Sequence, residues 1–73
     1  MDYSVVLRRR AQGDWLASVD SLPGCAVRAR SREAALEEIR AAIEMYIQGL
    51  FEEAIEEPSA ADVESVESVV VQV

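Results

Sequence analysis

Gly13-Asp14-Trp15-Leu16-Ala17-Ser18-Val19-Asp20-Ser21-Leu22-Pro23-Gly24-Cys25-Ala26-Val27-Arg28-Ala29-Arg30-Ser31-Arg32-Glu33-Ala34-Ala35 decides the fold of this chain. Trp15, Ala17 and Val19 alternate with Leu16, Ser18 and Asp20, the period of two that a half-buried strand requires. Leu22-Pro23-Gly24 then reverses the chain, because proline pre-sets φ for the turn and glycine tolerates the positive φ after it. Cys25 to Arg30 is the returning strand. Ser31 stands where a helix N-cap belongs, and Glu33 in the first turn complements the helix dipole.

Upstream, Tyr3 to Arg10 opens with the apolar run Val5-Val6-Leu7 and leads through Gln12-Gly13-Asp14, which reads as a first strand and a hairpin turn. Downstream, Leu36, Ile39, Ile43, Ile47 and Leu50 recur at steps of three and four, with Tyr46 and Phe51 beside them, so one helical stripe faces a core. Glu37, Glu38, Arg40 and Glu44 fall on the other side, and the helix is expected to run to about Glu56. Pro58 disfavours helical geometry at Glu57, which makes residues 57–65 a linker. Val69-Val70-Val71-Gln72-Val73 is β-prone, and its near-continuous apolar character suits a strand covered on both sides.

The order is βββαβ in a single domain, residues 1–73, of the α+β class. Three antiparallel strands, one long crossover helix and a last strand parallel to the first give a mixed four-stranded sheet with the helix on one face. The opposite face is left for a partner or a twin subunit.

The charge is uneven. Residues 1–32 carry six arginines and three aspartates, a net of +3, whereas residues 33–73 carry one arginine and eleven acids, a net of −10, for −7 overall. An acidic surface repels nucleic acid and suits a basic protein. So short a chain has little apolar surface to bury, which favours self-association. The single cysteine excludes an internal disulfide, Met1-Asp2-Tyr3-Ser4 lacks the features of a signal peptide, and no apolar run approaches the ~20 residues of a membrane span. A cytoplasmic protein is expected.

Catalytic chemistry finds little material. Without histidine the usual general base near neutral pH is missing. Cys25 follows a turn and reads as a buried core thiol, with a thiolate activated by Arg28 or Arg30 as the lesser reading. Asp20 and Glu37 read as solvated acids rather than metal ligands. Arg8, Arg9 and Arg10, with Arg28 and Arg30, suit a protected sheet edge or an ion-pair lattice, with a phosphate-binding patch near Trp15 as the alternative. Trp15 serves equally as core aromatic and as interface anchor. For the last third of the helix, core alone and core plus dimer contact both stay open. No catalytic residue, metal or cofactor is expected.

These motifs resemble the HicB antitoxin family over essentially the whole chain. The resemblance rests on the opening strand Tyr3-Ser4-Val5-Val6-Leu7, the turn Gly13-Asp14-Trp15, Leu22-Pro23-Gly24-Cys25, the helix start Ser31-Arg32-Glu33-Ala34 and the later Ile43-Glu44-Met45-Tyr46-Ile47. It implies a partial ribonuclease H-like βββαβ fold without catalytic carboxylates. It further implies a non-enzymatic protein that binds and masks a small, basic HicA-type ribonuclease toxin. Many family members carry a C-terminal DNA-binding domain that represses their own operon; this chain stops at Val73, so no such domain and no autorepression are expected. Asp20-Ser21 also stands where the family often has Pro-Asp or Pro-Glu.

The surface expected to meet the partner comprises Trp15, the turn Leu22, Pro23 and Gly24, and the arginines Arg28 and Arg30. Tyr46, Leu50 and Phe51 are expected at a homodimer interface. The competing reading is a solo RNA- or ligand-binding regulator of the same fold; a vestigial metal-dependent nuclease ranks behind both.

Overall fold

The structure, a computed structural model, describes residues 1–51 and 63–73. Its elements are β1 (Asp2–Arg10), β2 (Trp15–Val19), β3 (Ala26–Ala29), α1 (Arg32–Ile47) and β4 (Val63–Gln72). The βββαβ order and α+β class expected from sequence are therefore present, with four strands in the order β3-β2-β1-β4.

The local signals act as their chemistry dictates. The Arg10 N–H donates to Asp14 O and the Gly13 N–H to Arg10 O, both at 2.9 Å, which closes the first hairpin with Gly13 at φ 94°. The Ser31 side chain accepts the Ala34 N–H at 3.1 Å and caps α1. Ala35, Ile39, Ala42 and Ile43 form the buried stripe of the helix, and they meet Val5, Leu7, Ala17, Val19 and Cys25 from the sheet. The helix lies over β2 and β3 and only grazes β4.

Five expectations are corrected. The sheet is antiparallel throughout, not mixed, because β4 pairs with β1 in the antiparallel sense from Asp2↔Gln72 to Arg9↔Ser65. The physical reason lies in where the elements end: α1 stops at Ile47, by the Pro23 turn, and β4 begins at Val63 beside Arg10, at the other end of the sheet, a separation that residues 48–62 can span. The helix also ends nine residues short of Glu56. Gln48 caps it and Gly49 takes φ 76°, the left-handed conformation that halts a helix; Ile47 and Leu50, read as core, are 58% and 62% exposed.

Third, the linker expected at 57–65 overlaps β4, which starts at Val63; residues 57–62 lie outside the described residues, as does the expected helix end at Glu56. Fourth, β4 is not covered on both sides. Val69, Val71 and Val73 pack towards the core, whereas Val66 and Val70 are exposed on the face opposite the helix. Conversely β2, expected to be half-buried, is buried on both faces, with Leu16 and Ser18 enclosed between neighbouring strands.

Candidate partner-binding surface

The Leu22-Pro23-Gly24 turn is rigid for reasons of backbone chemistry. The Cys25 N–H donates to the Leu22 carbonyl at 3.0 Å and Gly24 holds φ 81°, so Pro23 and Gly24 occupy the central positions of a type II turn. Below it, Leu22 N–H donates to Val19 O at 3.2 Å and Val19 N–H to Cys25 O at 3.1 Å. The Tyr46 hydroxyl donates to the Pro23 carbonyl at 2.9 Å, which ties the end of α1 to the turn. Phe51 leans on the Tyr46 ring, with centroids 6.1 Å apart and planes at 45°. Both aromatics pack in part against the core, leaving Leu50 as the exposed member of the expected dimer trio.

Trp15 lies at the far end of β2, beside Arg9 and Ala29, and packs in part against the core from the helix side. Trp15 and Val19 are four residues apart along an extended strand, about 13 Å, and the turn lies beyond Val19. The tryptophan and the Leu-Pro-Gly turn therefore mark opposite ends of the domain. Arg28 pairs across the strands with Leu16, on the face away from α1. Arg30 borders a small hollow with Gln12, Gly13 and Asp14, at the Trp15 end. The expected partner residues thus fall into three places: Trp15 with Arg30, the turn with Tyr46, and Arg28 on the open face.

Sequence reading missed the composition of that open face. Arg8, Leu16 and Arg28 are cross-strand neighbours, as are Val6, Ser18 and Ala26, and β4 adds Val66 beside Arg8 and Val70 beside Ser4. Arg8 donates from Nη1 to Ser18 Oγ at 2.9 Å, and Leu16 is 5% exposed although no helix covers it. The two arginines beside it across the strands are placed to cover it with their aliphatic stems. The alternation Leu16, Ser18 was legible, but its continuation onto β4 depended on a strand start hidden in the supposed linker.

The opposite surface is acidic. Glu33, Glu37, Glu38 and Glu44 are exposed along α1, with Arg40 among them. Arg32 makes a bidentate pair with Glu67, Nη2 to Oε1 at 2.6 Å and Nε to Oε2 at 2.9 Å, joining the start of the helix to β4. The guanidinium's hydrogen bonds hold the Glu67 carboxyl below the usual carboxylate range and raise Arg32 in turn. Cys25 is buried, and desolvation pushes its thiol up, which disfavours the reactive thiolate. Among the described residues no three Cys, Asp or Glu side chains are grouped to hold a metal ion, and no helix is long and apolar enough to cross a membrane.

No family model and no solved structure matches the chain. A UPF0150 protein of Archaeoglobus fulgidus is 33% identical over 48 residues, 66% of this chain and 70% of the archaeal one. A UPF0150 protein of Thermoplasma acidophilum is 34% identical over 50 residues, 68% and 72% of the two chains. With a third of the aligned residues shared over more than two thirds of either relative, the chain belongs to the UPF0150 family.

Proposed function

We propose that this chain is a non-enzymatic, antitoxin-like protein of the HicB kind, which binds a small basic HicA-type ribonuclease in the cytoplasm and masks its active site. The observation that carries the reading is the exposed acidic run Glu33, Glu37, Glu38 and Glu44 on a rigid helix, within a chain of net charge −7. Such a face attracts a basic protein at long range and repels the RNA for which that protein competes. Burial of the contact then blocks substrate without any turnover by the inhibitor. The Leu22-Pro23-Gly24 turn, braced by Tyr46, supplies a rigid edge to that surface. A second copy of the chain is the other proposed partner.

The alternative, a solo regulator that binds RNA or another anionic ligand, draws on Arg8 and Arg28 around Leu16 on the open face. The two readings use opposite faces of the domain, so surface variants separate them. Trp15 and Leu22 are poor choices because both pack partly into the core.

The test is an RNA-cleavage assay with the HicA-type ribonuclease encoded in the same genome. The chain is expected to abolish cleavage at equimolar ratio. A Glu37→Lys/Glu38→Lys/Glu44→Lys variant is expected to associate roughly 10- to 100-fold more slowly at low salt, with an unchanged circular dichroism spectrum. Full-strength, salt-independent inhibition by that variant, or cleavage unaffected by the native chain, would refute the reading. Loss of RNA binding in Arg8→Ala/Arg28→Ala would instead favour the alternative.

A further inference from the structure

The two edges of the sheet are unlike. β3 is four residues long and carries the exposed Arg28, with Arg30 just past its end, so shortness and charge protect it from pairing. β4 is ten residues long, contains neither proline nor lysine, and exposes Val66 and Val70, each 63% accessible. Among the described residues no strand pairs with its outer side.

The direction of its free backbone groups follows from the ladder to β1. Met1 and Val73 exchange two backbone bonds, Met1 N to Val73 O at 2.8 Å and Val73 N to Met1 O at 2.9 Å. Val73 therefore turns its polar groups towards β1. Counting back by twos along an unbroken register, Val71, Val69, Glu67 and Ser65 do the same. Val66, Ser68, Val70 and Gln72 point their N–H and C=O groups outward, and the register shifts at Glu64.

We propose that β4 pairs antiparallel with β4 of a second copy, about a two-fold axis at Ser68, to give a continuous eight-stranded sheet. Three observations select this register. It joins outward-facing residues only to outward-facing residues, which any antiparallel ladder demands. It matches the two exposed valines, Val66 with Val70, on either side of Ser68, which pairs with itself, for about six new backbone hydrogen bonds. It also sets no glutamate opposite a glutamate. Sliding the axis to residue 67 would oppose Glu67 to its own copy, whereas here Glu67 faces Val69 of the second copy and keeps its bond to Arg32.

The apolar consequence is equally specific. On the open face Val66 of each copy lies beside Val70 of the other, so the most exposed valines of the strand cover one another. The acidic helix faces stay outside the seam, free for a basic partner. Tyr46 and Phe51, committed to the Pro23 carbonyl and the core, are not required for it.

Sedimentation equilibrium across a dilution series should give twice the 8.0 kDa chain mass at high concentration. Ser68→Pro, which removes an outward N–H at the axis and leaves the ladder to β1 intact, should give the monomer mass with an unchanged circular dichroism spectrum. Val66→Lys/Val70→Lys should do the same without altering the backbone. Leu50→Asp should leave the dimer unchanged.

Register is read by cross-linking. Ser68→Cys should form a disulfide-linked dimer on mild oxidation, since paired Cα atoms at a two-fold axis lie about 5.5 Å apart. Val70→Cys alone should not, its copies being four residues apart along the seam, about 13 Å. Buried Cys25 stays out of the reaction. A native chain that is monomeric at every concentration, a dimer that survives Ser68→Pro, or a Ser68→Cys dimer that fails to cross-link would each overturn the proposal.

Discussion

Arg8 offers a direct test of whether the open-face arginines serve the fold. Its Nη1 bonds Ser18 Oγ at 2.9 Å, Ser18 is 6% exposed, and its cross-strand neighbour Leu16 is 5% exposed on a face without a helix. Full burial of a leucine is worth about 1.5–3 kcal/mol. Arg8 and Arg28 flank Leu16 on either side, so removing one stem forfeits about half, or about 1 kcal/mol. Loss of the hydroxyl's partner adds about 1 kcal/mol. Arg8→Ala should therefore cost about 2 kcal/mol, against the roughly 4–11 kcal/mol expected of a 73-residue domain. Arg8→Met retains the stem and loses only the bond, so it should cost about 1 kcal/mol. Urea unfolding monitored by Trp15 fluorescence, at a fixed protein concentration, reads both, with unchanged m values. Equal losses in the two variants would show that the stem covers nothing. No loss in either would return Arg8 to the pool of solvated cations available for an anionic ligand.

Two further outcomes test the turn and the ion pair. Gly24→Ala forces a Cβ into φ 81°, so it should destabilise the domain by about 1 kcal/mol, a fall of roughly 4–8 °C in melting temperature, whereas Pro23→Ala should cost less because its φ is accessible to any residue. For Glu67, hydrogen bonds from Arg32 depress the folded-state pKa, so the stabilisation is complete above the ordinary carboxylate range and is lost as the pH falls through the lowered value. The difference in urea midpoint between the native chain and Glu67→Gln should accordingly be present at neutral pH, small because both partners are exposed, and should vanish in acid; a difference that grows in acid would contradict the assignment.

What the sequence made legible was local. The alternation through Trp15, Ala17 and Val19, the Pro23-Gly24 turn and the Ser31 cap each depend on residues within a few positions, and the structure realises all three. The end of α1 was also encoded locally, but two signals competed. Ile47 and Leu50 continue the apolar spacing past Gly49, and the glycine's left-handed φ overrides it, because spacing stabilises a helix only where a sheet lies beneath to bury the stripe. The candidate surface was less legible for the same reason: Trp15, Leu22 and Arg28 are close in sequence yet belong to different ends and faces.

The direction of β4 is a different kind of error. No residue in Val69-Val70-Val71 states which way a strand runs; that depends on the chain between α1 and the strand, and shortening the helix reverses the answer. The composition of the strand nevertheless retains physical meaning. The run Val69-Val70-Val71-Gln72-Val73 was read as a strand covered on both sides, and in the single chain that expectation fails at Val70, with Val66 equally exposed on the same face. Antiparallel pairing about Ser68 supplies the missing lateral neighbours and satisfies the outward backbone groups at once. The apolar excess that the monomer leaves exposed is thus accounted for by the seam, and the register at Ser68 is the one that sets Val66 beside Val70 while keeping Glu67 from facing its own copy.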